Sequence, residues 1–365
     1  MSPRPSSVPP VTRALLAAAL FAAGTGGAAG QEGAPDGEWP YWAGDAGSTR
    51  YAPLDQIDAR NVGELEIAWR WHSLNFGPRP ETYYRVTPLY VDGVLYATAG
   101  YRRQTVAIDP ATGETLWSYR LDEGERGRNA PRGNSGRGVA YWTDGPEARV
   151  LLVTPGYHLV SLDAATGLPD PSFGSDGLVD LKRELGRPVD LVEARVGSSS
   201  PPIVVDDVIV VGAALPQGGR PPTKEMPPAP VRGYDVRTGE LLWTFHTIPR
   251  PGEPGHETWE EGSWEYTGNA AVWTPITADL ERGYVYLPVE AGTGDYYGGH
   301  RPGDNLYSQS LVCLDARTGE LVWHFQTVHH GIWDYDPPAA PILMDLSIEG
   351  RVVPAVAQVT KQAFT

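Results

Sequence analysis

The stretch VRGYDVRTGELLWTF, Val231–Phe245, decides the fold. It has two close copies, TVAIDPATGETLWSY at Thr105–Tyr119 and LVCLDARTGELVWHF at Leu311–Phe325, and a fainter one without the Trp, LVSLDAATGLPD at Leu159–Asp170. In each full copy an apolar run leads into Asp-x-x-Thr-Gly, and a Trp follows the Asp by eight residues: Asp109/Trp117, Asp235/Trp243 and Asp315/Trp323. The apolar run suits a buried strand. Asp-x-x-Thr-Gly suits a tight turn, with the Asp side chain folded back onto the backbone and Gly supplying positive φ. The segment after it has strand composition and ends in aromatics. The phrase therefore predicts an antiparallel hairpin, and its Trp can wedge between neighbouring sheets.

The Asp residues are 54, 72 and 80 positions apart, wider than the roughly 40–50 residues of compact propeller repeats. The surplus is loop, and loops of a radial array cluster at one end and tend to carry the site. Unrelated hairpins in a sandwich are the alternative, but they need not repeat a turn and a Trp in register. The reading is an all-β propeller.

Composition agrees. Gly 43 and Pro 35 fit many short strands joined by turns, while 41% hydrophobic residues still allow a core. A net charge of −16 argues against a nucleic-acid partner. The single Cys, Cys313, permits no intrachain disulfide and excludes a Cys-rich zinc site. Arg4 and Arg13 precede an apolar Ala14–Ala23 and small residues up to Gly30, a secretory-signal pattern over residues 1–30 that predicts export to a periplasm. A non-cleaved membrane anchor is the alternative. Residues 31–365 then form the propeller.

Expected elements are a short helix over Asp58–Leu65 and strands at Glu66–Trp71, Thr87–Ala97, Thr105–Ile108, Val150–Val153, Leu159–Leu162, Ile203–Val211, Tyr284–Pro288 and Leu311–Leu314. A last strand pattern runs over Val352–Phe364. Pro216–Pro230 and Arg250–Tyr266 read as loops. This is about four to five blades of sequence.

Several segments carry a resemblance: Gly44–Trp69, the Trp hairpins, RGVAYW (Arg137–Trp142), YYGGHRPGDN (Tyr296–Asn305), TVHHGIWDYDPPAAP (Thr327–Pro341) and QVTKQAFT (Gln358–Thr365). With these the chain resembles the pyrroloquinoline-quinone (PQQ) dehydrogenases, and within them the glucose-dehydrogenase-like branch more than methanol dehydrogenase. The resemblance implies an eight-bladed quinoprotein propeller with PQQ on its axis, here incomplete and cut short at the C-terminus. It also implies oxidation of an aldose or alcohol by hydride transfer to PQQ, with electrons passed to ubiquinone or cytochrome c.

The same resemblance assigns residues. Asp334 matches the catalytic base; its plainer reading is a turn Asp before Pro337–Pro338, and Asp336 competes with it. Lys361 matches the Lys that contacts the quinone oxygens. Arg137 matches an Arg that pairs with a cofactor carboxylate, with Arg85 a weaker second. Trp273 matches the floor under the PQQ ring, although it could be one more packing Trp. Ser199 matches a hydroxyl that hydrogen-bonds PQQ. His329 and His330 read as wall residues, since neighbours on a strand face opposite ways.

The metal site departs from the family. Ca²⁺ wants oxygen ligands, but VIVVGAALPQGG (Val208–Gly219) offers only Gln217 where methanol dehydrogenase has a Glu. Asp295 in GTGD is the look-alike of an Asn, with Glu290 competing for the role. The vicinal Cys pair of methanol dehydrogenase is missing from Pro131–Ser135. Two other readings stand beside the enzyme: a non-catalytic propeller scaffold, and an inactive truncated paralogue.

Overall fold

The structure is a computed structural model that describes residues 33–73, 81, 83–216 and 223–365. The leader pattern at 1–30 and Gln217 lie outside the described residues. Four antiparallel four-stranded sheets follow one another along the chain. The first holds β1 (Leu89–Val91), β2 (Val94–Ala99), β3 (Gln104–Ile108) and β4 (Thr115–Tyr119). The second holds β5 (Ala140–Asp144), β6 (Glu147–Val153), β7 (His158–Asp163) and β8 (Leu178–Asp180). The third is β9 (Ile203–Val205), β10 (Val208–Val211), β11 (Val231–Asp235) and β12 (Leu241–Phe245). The fourth is β13 (Thr277–Asp279), β14 (Tyr284–Val289), β15 (Ser310–Asp315) and β16 (Leu321–Gln326). A hairpin of β17 (Ile342–Ile348) and β18 (Arg351–Ala357) begins a fifth. In every sheet, neighbours in sequence are neighbours in space, so each is a meander and reads as a propeller blade.

The cores lie between the sheets. Leu89 and Val91 pack with Val150, Leu152 and Leu162 of the next sheet. Leu151 and Val153 pack with Ile209 and Val211, and Val208 and Val210 pack with Val285, Leu287 and Val312. Each fully buried aliphatic side chain of this kind stabilises by about 1.5–3 kcal/mol.

The repeated phrase supplies a second bond between sheets. In all four turns the Asp carboxylate folds back onto the backbone: Asp109 Oδ1 accepts from the Ala111 and Thr112 amides, and Asp235 and Asp315 repeat the pattern. Gly113, Gly167, Gly239 and Gly319 all have φ near +70°. The Trp then docks on the turn of the following sheet. Trp117 Nε1 donates to Ala164 O at 2.9 Å, and Trp243 Nε1 to Ala316 O at 2.9 Å. Trp69, ahead of the first sheet, donates to Pro110 O at 2.8 Å. A Cβ on Gly113, Gly167 or Gly319 would lie 2.4–2.7 Å from those indoles, so this Gly serves both the turn and the ring above it. The second sheet lacks the Trp and covers Gly239 with Phe173 and Val179 instead.

Some expectations change. Thr87–Ala97 and Ile203–Val211 are each a hairpin, broken at Asp92-Gly93 and at Asp206-Asp207, where Asp92, Gly93 and Asp206 take positive φ. Glu66–Trp71 pairs with no strand among the described residues, although Trp69 and Trp71 pack on the first sheet. The helix over Asp58–Leu65 shrinks to a 3-10 turn at Val62–Glu64, and the last strand ends at Ala357.

The docking makes a quantitative prediction. Trp243→Ala should cost about 3–5 kcal/mol in urea denaturation, as for a large core aromatic. Gly319→Ala should destabilise the wild type more than it destabilises the Trp243→Ala protein, because both remove the same contact. Equal costs in the two backgrounds would show that the ring does not rest on the turn.

Candidate functional site

A meander puts alternate connections at opposite ends. The Asp-x-x-Thr-Gly turns join third and fourth strands at one end. Connections between second and third strands, and from a fourth strand to the next sheet, fall at the other. Every described candidate residue lies on this second set. Arg137 is on the β4–β5 connection, Ser199 on β8–β9 and Trp273 on β12–β13. Glu290 and Asp295 lie on β14–β15, Asp334 and Asp336 on β16–β17, and Lys361 just after β18.

Trp273 links two groups of charges. Its indole N–H donates to Asp336 Oδ2 at 2.8 Å, and the Arg137 guanidinium carbon lies 5.3 Å from its ring centre. Arg137 also donates to Ser199 Oγ. Burial first, and then the like charges of Arg85 and Arg132, push the Arg137 pKa down to about 10. Arg85 and Arg132 therefore lie within electrostatic reach of the Arg137 charge beside the indole. Such a cluster suits a flat, multiply anionic ligand, because Arg forks bind carboxylates in two-point fashion.

On the other side Lys361 Nζ bridges two carboxylates, Asp336 at 2.6 Å and Asp334 at 3.1 Å. The two differ in environment. The Asp336 side chain is 3% exposed and that of Asp334 37%. Burial, with a hydrogen bond from the Asp334 side, raises the Asp336 pKa to about 6 against the pull of Lys361 and Trp273. Burial opposes the Lys361 charge, but Asp336 and Asp334 outweigh it and hold its pKa above the ordinary lysine value. Asp336 is thus committed to three partners, and Asp334 is the more exposed of the two carboxylates. Asp334 sits at φ 55°, a left-handed conformation that Asp tolerates better than most residues.

Glu290 lies within electrostatic reach of Asp336, Asp295 and Arg132. Burial and the Asp336 charge drive its pKa well above the usual carboxylate range. Its Oε1 is sealed from solvent without a hydrogen-bond partner, as is Oδ1 of Asn269. Among the described residues no group of three or more His, Cys, Asp or Glu side chains is arranged to hold a metal.

Two buried arginines tie the connections together. Arg103 donates to Val153 O, Ser198 O and Arg132 O, each at 2.7 Å, so it joins the loops bearing Arg137 and Ser199. Arg301, fully buried, donates to Gly294 O and Gly331 O at 3.0 and 2.6 Å and joins the Asp295 loop to the Asp334 loop. Nothing in the sequence singles out Arg103, Arg132 and Arg301. The only signal was their place in Gly- and Pro-rich stretches, where a surface Arg looks the same. His329 and His330 lie in a turn and not on a strand, with His330 Nδ1 2.8 Å from Gly303 O. The strand argument about their facing therefore does not apply.

The model of the family described as PQQ: glucose/ethanol/alcohol dehydrogenase, beta-propeller domain, matches residues 39–365. The chain belongs to the PQQ dehydrogenase family. It is 34% identical to the glycerol dehydrogenase large subunit of Gluconobacter oxydans (strain 621H) over 343 residues, 90% of this chain and 44% of that protein. It is 31% identical to the quinoprotein glucose dehydrogenase of Escherichia coli (strain K12), covering 88% of this chain and 41% of that one. The quinohemoprotein alcohol dehydrogenase from Comamonas testosteroni superposes with a TM-score of 0.73 at 27% identity, over 89% of this chain and 46% of that one. The chain thus spans less than half the length of these relatives. The propeller expected from the repeat is the family fold.

A titration tests the Asp336–Trp273 bond. The Asp336 pKa is raised, so its contribution to stability is full below the ordinary aspartate pKa and is lost as pH rises through about 6. The indole N–H resonance of Trp273 in ¹⁵N-tryptophan-labelled protein should shift with a midpoint near the same pH. Asp336→Asn should flatten that shift. A resonance equally pH-dependent in the variant would mean that another group is being read.

Proposed function

We propose that this chain is the cofactor-bearing part of a PQQ-dependent dehydrogenase that oxidises the CH–OH group of a small sugar or alcohol. The observation that carries this reading is the joining of Asp334, Lys361, Asp336, Trp273 and Arg137 into one connected set at the loop end of the propeller. Arg137 and Arg132 would take the carboxylates of PQQ, Trp273 would form the platform for its rings, and Ser199 would keep Arg137 in position. PQQ supplies the acceptor for the hydride leaving the substrate carbon. Lys361 brings a fixed positive charge to the place where negative charge grows. Asp334 takes the hydroxyl proton, while Asp336 balances Lys361 and leaves Asp334 available.

A hard divalent cation such as Ca²⁺ suits the oxygen donors beside this set. Glu290 Oε1 and Asn269 Oδ1 are orphaned inside the protein, and Asp295 adds a second carboxylate to the Glu290 neighbourhood. The cation would neutralise Glu290 and polarise an oxygen of the bound quinone. The leader pattern at residues 1–30 supports action in a periplasm, with ubiquinone or cytochrome c taking the electrons. A scaffold propeller needs only the Trp–turn bonds and the cores. It has no use for a buried aspartate tied to a lysine and an indole.

The test is dye reduction by protein loaded with PQQ and Ca²⁺, supplied with glucose, glycerol or a primary alcohol. Asp334→Asn should retain PQQ and lose turnover by about 10²–10⁴-fold, the usual share of a general base. Normal turnover in that variant would remove Asp334 from the role. Removal of Ca²⁺ with a chelator should lower activity, and Glu290→Gln should weaken the response to added Ca²⁺.

A further inference from the structure

A cavity opens at the same end of the propeller, lined in part by an earlier stretch of the loop that supplies Trp273. It encloses about 400 Å³, within the range of small-molecule sites. Its walls come from three connections: Arg187 from β8–β9, Pro228 and Pro230 from β10–β11, and His246, Arg250 and Trp264 from β12–β13.

Its charge is unbalanced. Arg187 spends its donors on main-chain oxygens, those of Glu265, Met226 and Thr267, the last two at 2.7 Å. Burial and the nearby Arg250 charge lower the Arg187 pKa. His246 Nδ1 lies 2.7 Å from Glu253 Oε1, and Glu253 Oε2 accepts the Arg250 main-chain N–H at 2.8 Å. That acid is therefore already engaged. Among the described residues the Arg250 guanidinium has neither an ion-pair nor a hydrogen-bond partner. It rests directly over Gly186, where a Cβ would come within 1.4 Å of Nη2. A glycine thus makes room for a cation that stands beside another cation in a walled cavity of a strongly acidic protein. Two adjacent guanidiniums are costly unless an anion lies between or across them, and a carboxylate matches their forks. The rest of the wall is largely apolar, with three prolines, Ala229, Ile248 and the Trp264 ring beside Thr247 and Thr267, which suits an apolar body more than a bare inorganic ion.

We propose that this cavity is a second ligand site, taking a small organic carboxylate through Arg250, with its apolar part against Trp264 and the prolines. The proposal is independent of the dehydrogenase reading, since none of its residues belongs to the Asp334–Lys361–Trp273 set.

Isothermal titration of the purified protein with benzoate tests it, with benzamide and inorganic phosphate as comparison ligands. Benzoate should bind saturably, and Arg250→Gln should weaken it by about tenfold or more, the usual loss for a hydrogen bond to a charged group. Benzamide and phosphate should each bind at least about tenfold more weakly than benzoate, lacking the charge and the apolar body respectively. Arg137→Gln, at the other site, should leave benzoate binding unchanged. Unchanged affinity in Arg250→Gln, equal binding of benzamide or phosphate, or loss of binding in Arg137→Gln would each overturn the assignment. If Arg250→Gln does not fold, the three-ligand comparison on the wild type decides.

Discussion

One contact sets the geometry of this protein: an indole from one sheet resting on the Asp-x-x-Thr-Gly turn of the next. Trp69, Trp117 and Trp243 each give an N–H to a carbonyl of the following turn and lie flat against a glycine. Apolar cores alone hold two sheets together but let them slide or rotate. A hydrogen bond at a fixed point on each turn removes that freedom and fixes the angle between neighbouring blades. At the opposite ends of the strands the long connections come together, and they bear every described candidate residue.

Convergence brings like charges together, and the protein manages this with buried arginines. Arg103 gathers main-chain oxygens from the loops that bear Arg132, Ser199 and the end of β6. Arg301 does the same for the loops that bear Asp295 and Asp334. Both use main-chain carbonyls in place of acidic partners, so the acids of the site stay available. The result is a cationic side around Arg137 and an acidic side around Asp336, separated by the Trp273 ring. A flat anionic quinone and a hydroxyl to be deprotonated would call for opposite electrostatics, and the proposed function rests on finding both kinds of charge around one indole.

The repeat was legible because its residues each do a local job at a fixed spacing. Asp closes the turn, Gly takes the positive φ, and Trp reaches the neighbour. Other parts were legible only by resemblance. Nothing in the spacing of Asp334, Trp273 and Lys361 says that they meet, since they come from three different connections. By sequence Asp336 is a rival base to Asp334, but burial separates them: one is sealed against an indole and a lysine, the other half-open. Arg103, Arg132 and Arg301 could not be read at all, because an Arg in a Gly-rich loop has the same local signature whether it faces water or four carbonyls. Glu66–Trp71 has the alternation of a strand, but pairing depends on a neighbouring edge that local sequence does not encode.

We propose that the charges gathered at the loop end hold PQQ over Trp273. Gel filtration of the purified protein after incubation with PQQ, read at the cofactor's absorbance, tests it most directly. PQQ should co-elute with the wild type, be lost from Trp273→Ala, and be held more weakly by Arg137→Gln. Free PQQ eluting from the wild type, or equal retention by all three proteins, would contradict the account.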